Sequence, residues 1–90
     1  MNRREIFDAI QSERDYQDNR WGTDFDDENT VNDWGTYVNQ YVARATKMGA
    51  TTDEQKQALV KVAAIAVAAL ETIGRNGKLA LRHYDDNNQE

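Results

Sequence analysis

Apolar positions recur at helical spacing in three stretches of the chain, separated by polar joints, and no stretch shows the alternation of a strand. The first stretch, from about Arg3 to about Arg20, places Ile6, Phe7, Ile10 and Tyr16 to pack on one side. Gly22 supplies its stop, since glycine tolerates left-handed backbone at a helix end. "TDFDDENT", Thr23 to Thr30, then reads as an acidic, turn-forming loop. Thr30 or Asn32 caps a second helix with Asp33 in its first turn, and Trp34, Tyr37, Val38, Tyr41, Val42, Ala45 and Met48 form its apolar stripe. Gly49 ends that helix. Thr52 with Gln55 makes a capping box for a third, running from Asp53 to about Ile73 and closed by Gly74.

The centre of the third helix, "VAAIAVAAL", is apolar on every face and must be covered all round. Two other helices do not easily surround it in a chain this short, and its alanines permit close approach of another helix. The expectation is a dimer or higher oligomer with this helix in the interface, the alternative being the central helix of a monomer. The fold expected is all-α: an antiparallel helical bundle of three main helices, completed by oligomerisation. It forms a single domain over residues 1–84. Leu79 and Leu81 suit a short docked arm, and residues 85–90 read as a disordered polar tail.

One segment breaks the pattern. In "ERDYQDNRWG", Glu13 to Gly22, the inward stripe begun by Ile6 and Ile10 continues through Glu13, Arg14, Gln17 and Trp21. Either that polar stripe is a site, or the helix ends earlier than its spacing implies.

Composition narrows the partners. A domain of ninety residues sits near the size that buries only about 60% of its unfolded surface, which favours self-association. The formal net charge of -5 argues against DNA, RNA or an anionic membrane, all of which reward clustered Lys and Arg. A small ligand or another protein fits better. The absence of cysteine excludes disulfides, thiolate metal sites and cysteine nucleophiles. The basic N-terminus has no apolar segment behind it, and the Val62 to Leu70 run falls short of the roughly 20 residues of a membrane helix. A soluble, cytoplasmic protein is expected.

Candidate chemistry is sparse. Asp24, Asp26, Asp27 and Glu28 offer oxygen ligands for a hard cation, but a calcium loop needs glycine at the sixth position and glutamate at the twelfth, which is Gly35, so a solvated loop is the better reading. His83, the single histidine, has no nucleophile paired with it, and no catalytic residue is assigned. Lys61 interrupts the apolar third helix and either snorkels to solvent or sets an ammonium beside an anionic ligand. Trp21 and Trp34 flank the acidic loop, so both indoles reach one end of the bundle, either to clasp a planar base or as core packing. Arg82, His83 and Tyr84 form an arm suited to closing over a ligand, or equally to lying on the surface.

"ERDYQDNRWG", "NTVNDWGTYVNQYVARA", "LVKVAAIAVAALE" and "RHYD" together resemble the small MazG-like proteins of many bacteriophage genomes, relatives of the all-α nucleoside triphosphate pyrophosphohydrolases. The resemblance spans about residues 5–84. It implies an oligomeric antiparallel bundle with a nucleotide between helices, and it implies that Glu13, Arg14, Gln17, Asp18 and Trp21 line the base or ribose side of a pocket. Catalytic members carry an E-E-x-x-E cluster on the second helix and an E-x-x-D on the next, which hold Mg²⁺ on the phosphates. Here Asn39 and Gln40 stand where two glutamates are expected, with Ala43 or Arg44 at the third position, and Gln57 and Ala58 where a further acid would lie. Amides bring no negative charge, so no metal is expected at that place, and Arg44 and Lys61 favour an anionic group directly.

Three readings follow. The first is a phage-type binder that sequesters a nucleotide or nucleotide-derived signal without hydrolysing it, with Trp34 and Tyr41 on the second helix joining the pocket, and that blunts a host defence in the host cytoplasm. The second is a Mg²⁺-dependent pyrophosphohydrolase whose ligands include Glu13, Asp18, Asp33 and the acidic loop. The third is a protein-binding inhibitor in which Arg14 and Asp18, at i and i+4, belong to an internal salt-bridge network.

Overall fold

The computed structural model describes residues 1–82; His83, Tyr84 and the polar tail expected over 85–90 lie outside the described residues. The described chain is all-helical, with α1 (Arg3–Arg20), α2 (Gly22–Glu28), α3 (Val31–Thr46) and α4 (Thr52–Asn76). No strand occurs among the described residues, only an isolated parallel bridge between Thr30 and Ala80.

Local chemistry explains the boundaries, and several differ from the sequence expectation. α1 ends at Arg20, where Gly22 takes a φ of +79°. The stretch read as an acidic loop instead coils at once into α2. The Trp21 and Phe25 rings stack 5.9 Å apart, and Asp27 accepts from Arg75 Nη2 at 2.8 Å and Asn76 Nδ2 at 3.0 Å, so tertiary contacts hold a helix that its composition does not favour. The Arg75 hydrogen bond holds the Asp27 carboxyl below its ordinary range. The same contacts carry α4 past Gly74 to Asn76, and the left-handed residue that closes it is Gly77. Its capping box falls one position early, on Thr51 and Glu54 rather than Thr52 and Gln55, because Glu54 supplies a carboxylate to accept the Thr51 N–H. Thr30, not Asn32, caps α3. α3 stops at Thr46, leaving Met48 fully exposed instead of in the stripe.

Packing centres on α4, the helix that touches each of the other three. α3 folds back antiparallel to it: Lys47 pairs with Glu54 at the turn, and Trp34 packs on Ile65 and Ala68 further along. Tyr37, Val38, Tyr41, Ala69 and Leu79 surround this cluster, so Leu79 serves as the docked arm that the sequence implied. α1 runs alongside the other flank of α4, with Glu13 at Lys61 and Arg14 at Glu71. Its contribution is polar: Ile6, Phe7 and Tyr16, expected inside, are exposed, and Arg14 is the buried residue of α1. Backbone contact between α1 and α3 is absent among the described residues, which leaves a groove between them with α4 as its floor.

α4 is covered on its α3 and α1 flanks and, toward its C-terminus, by α2. Leu59, Ala66, Val67, Leu70 and Ile73 remain exposed along its outer face. By length and composition α4 is also long and apolar enough to cross a membrane. The Val62 to Leu70 run understated this, because the apolar character continues past Lys61 and Glu71, both ion-paired with α1.

Candidate functional site

The polar stripe of α1 resolves into a hydrogen-bond network around Arg14, which is only 6% exposed. Its Nε donates to Glu71 Oε1 at 3.0 Å, Nη1 to Gln17 Oε1 at 2.9 Å and Nη2 to Asp18 Oδ1 at 2.8 Å. Gln17 Nε2 donates to Glu13 Oε2 at 3.1 Å, and Lys61 Nζ donates to both Glu13 oxygens at 3.2 Å. A buried guanidinium is tolerated only when paired and hydrogen-bonded, and these acceptors supply that. Glu13, Arg14 and Asp18 therefore tie α1 to itself and to α4. The i, i+4 pair expected between Arg14 and Asp18 is present.

Above this network the groove opens into a cleft of about 310 Å³. Gln17, Trp21, Phe25, Asp26 and Asn29 form one wall, Trp34, Tyr37, Gln40 and Tyr41 the other, and Ile65 and Ala68 the floor. The two tryptophans thus line one cleft, with different duties: Trp34 is a core residue, whereas Trp21 is half exposed, edge-on to Tyr16 and stacked on Phe25. Two buried N–H groups on the walls, Asn29 Nδ2 and Trp34 Nε1, have no hydrogen-bond partner among the described residues. Asp26 is 9% exposed. Burial raises its pKa, opposed by the charge of Arg14 and helped by that of Asp18. Burial likewise raises the Tyr37 pKa, with Asp33 and Asp26 adding to it, so the phenol stays a donor and reaches Asn29 Oδ1 at 3.4 Å.

Tyr41 also lines a second cleft of about 280 Å³, with Arg44, Lys47, Glu54, Gln57, Ala58 and Lys61. The Arg44 guanidinium lies 4.8 Å from the Tyr41 ring centre, and Lys61 Nζ lies 5.8 Å from both the Tyr16 and the Tyr41 rings. Lys61 does not snorkel freely; it bridges α1 and α4. The lining carries three cations and one carboxylate, a setting for an anion.

Other expected residues are placed elsewhere. Asp33 is occupied in the α3 capping box, where its Oδ2 accepts from the Thr30 N–H at 2.9 Å. Arg82 is half-buried and lines neither cleft, while His83 and Tyr84 lie outside the described residues. No group of three or more His, Cys, Asp or Glu placed to hold a metal ion occurs among the described residues. Of the carboxylates weighed as metal ligands, Glu13, Asp18, Asp27 and Asp33 are bonded to Lys61, Arg14, Arg75 and Thr30 respectively. Sequence reasoning passed over Phe25, Asn29 and Lys47 as ligand-facing groups, and weighed Asp26 only as a cation ligand in a solvated loop. The i, i+4 spacing of Trp21 and Phe25 was the available signal for the first, and none existed for Asn29. Comparison with known proteins found no family model, no curated protein and no solved structure that matches the chain.

Two outcomes test this geometry. Arg14→Ala removes the donor common to Gln17, Asp18 and Glu71 and is expected to cost about 2–3 kcal/mol in urea unfolding, less than the roughly 3–5 kcal/mol of a fully buried broken pair because both carboxylates are half exposed and regain water. Asp26 has a folded pKa above its unfolded value of 3.8. The folded state therefore holds that proton more tightly, and stability falls as pH rises from below the unfolded pKa through the folded one. Asp26→Asn should raise the melting temperature at pH 7, and the gain should vanish on acidification below the unfolded pKa.

Proposed function

We propose that this chain is a small helical nucleotide-binding protein that sequesters a nucleotide or nucleotide-derived signal without hydrolysing it: the resemblance to phage MazG-like proteins implies the nucleotide, and Asn39 and Gln40 in place of the family's glutamates imply the loss of hydrolysis. The observation that carries the reading is the shared Tyr41: an aromatic, polar cleft and a basic cleft meet at one side chain. A planar ring suits the first, where Trp21, Phe25 and Tyr37 supply π-faces. A phosphate suits the second, where Arg44, Lys47 and Lys61 supply charge without a metal. Hydrolysis by the family's chemistry calls for clustered carboxylates, and here Gln40 faces the ring cleft and Arg44 the basic one.

The outer face of α4 supports self-association. Leu59 is 55% and Leu70 66% exposed, and with Ala66, Val67 and Ile73 they make an apolar stripe at helical spacing. A second copy offers the same stripe, as a two-fold interface requires. Such a pairing completes the bundle in solution, consistent with a soluble protein of the cytoplasm.

The first test is thermal stability against nucleoside triphosphates, monophosphates and cyclic dinucleotides, with and without Mg²⁺, followed by analysis of each mixture for breakdown. A cognate nucleotide at 100 times its Kd adds about 2.7 kcal/mol to unfolding, is recovered intact, and loses about tenfold in affinity with Arg44→Ala. Mg²⁺-dependent release of pyrophosphate would instead establish the hydrolase. A panel that stabilises nothing leaves the Arg14 network as internal scaffolding for a protein-binding module. For the interface, sedimentation of the Leu59→Glu, Leu70→Glu double variant should give a monomer with native helix content where the parent gives a dimer or larger species. A monomeric parent overturns the α4 interface.

A further inference from the structure

The ring cleft holds an unusual set of polar groups for so apolar a lining. Asn29 and Trp34 are each 6% exposed, and each carries an N–H without a partner among the described residues. Leaving such donors dry is costly, of the order of 1–3 kcal/mol each. The Asn29 amide is oriented by Tyr37, whose hydroxyl donates to Oδ1 at 3.4 Å, so Nδ2 is the end left over. Asp26 lies three residues before Asn29, which gives its backbone N–H to the Asp26 carbonyl at 3.3 Å, and both side chains line the same cleft. Asp26 brings only acceptors when ionised, and the cations whose charge reaches it, Arg14 and Arg75, stand outside the cleft lining and are bonded to other carboxylates. A complementary ligand presents hydrogen-bond acceptors to two fixed N–H groups and an N–H donor to a carboxylate, on a body flat enough for the Trp21, Phe25 and Tyr41 rings.

From this geometry we infer that the cleft selects a planar heterocycle bearing an exocyclic amine beside ring acceptors, as in an amino-substituted nucleobase, with Asp26 accepting from the amine and Asn29 Nδ2 and Trp34 Nε1 donating to the ring. A carbonyl in place of the amine sets oxygen lone pairs against the carboxylate in a dry site. Sites that hydrogen-bond a ligand N–H reject the analogue lacking it far more strongly than apolar pockets reject a missing methylene. An alkylammonium would satisfy Asp26 and the aromatic rings but offers nothing to the two donors, which is why the heterocycle is preferred. This inference deepens the nucleotide-binding reading and rests on it.

The test compares ligands that differ at the exocyclic group and at the ring nitrogen beside it, which is an acceptor in the amino form and an N–H in the carbonyl form. Calorimetric Kd values are measured for cytidine against uridine 5′-monophosphate and for adenosine against inosine 5′-monophosphate, with the parent chain and with Asp26→Asn. That variant is isosteric and is expected to fold, which far-UV circular dichroism verifies. The amino member of at least one pair should bind the parent at least about tenfold more tightly. Asp26→Asn should bring the ratio to within about threefold, because an amide both accepts and donates. Equal affinities within both pairs, or a ratio unmoved by Asp26→Asn, overturn the inference while leaving nucleotide binding intact. Binding of none of the four overturns the inference, and stabilisation by no triphosphate or cyclic dinucleotide of the wider panel removes the underlying reading as well. Choline binding more tightly than any of them, abolished by Asp26→Asn, assigns the cleft to a cation and overturns the inference.

Discussion

A single buried guanidinium organises this fold. Arg14 is the one buried residue of α1, so the helix does not dock by pressing an apolar stripe into the core. It docks because a charge withdrawn from water has to find acceptors, and the arrangement that provides Gln17, Asp18 and Glu71 together also fixes the distance of α1 from α4. Hydrophobic packing tolerates sliding; a guanidinium fork does not. The neighbouring Glu13 to Lys61 pair fixes a second point along the same flank. Ile6 and Phe7, the residues that a stripe argument would bury, are left on the surface.

This division of labour explains the groove. α3 is held to α4 by Trp34, Ile65 and Ala68, and α1 by ion pairs on the other flank, so neither flank helix needs to meet the other. The small Ala68 and the flat faces of Trp34 and Tyr41 then line an opening that larger side chains on α4 would fill. α2 closes one end through Arg75 and Asn76, both gripping Asp27. The cleft thus follows from how three different kinds of contact meet along one helix.

The helical character, the Gly22 break and a cap at Thr30 or Asn32 were legible in the sequence, because each depends on neighbours within a turn or two; Leu79 was legible as an apolar arm, while its dock on Trp34, Ile65 and Ala68 was not. Nor was α2. Its residues read as a loop, and contacts made 48 and 49 positions away, to Arg75 and Asn76, help to hold them helical. The same long reach moved the end of α4 from Gly74 to Gly77. For the site, the polar stripe of α1 marked the right place for the wrong duty: Arg14 is bonded to Asp18 and Glu71, Glu13 to Lys61, and only Gln17 and Trp21 of that stripe face the cleft. Asp33 looked available until its cap was seen. Asn29 gave no local sign, and Asp26 stood out only as one acid in an acidic run, since a buried amide or carboxylate is recognisable only by what surrounds it.

The unequal way in which the flanks are joined to α4 has a consequence for how the chain assembles. α3 and α4 follow one another through a short turn and zip together from it, so their pairing closes small loops at little entropic cost. α1 is tied to α4 across separations of 57 and 48 residues, by charges that stabilise only once they are brought out of water together. The α3–α4 hairpin is therefore the early, local unit and α1 the late one. Gln17 and Trp21 travel with α1, so the cleft comes into being only with the last step of folding, and partial undocking of α1 takes the binding wall apart while the hairpin and its core stay whole.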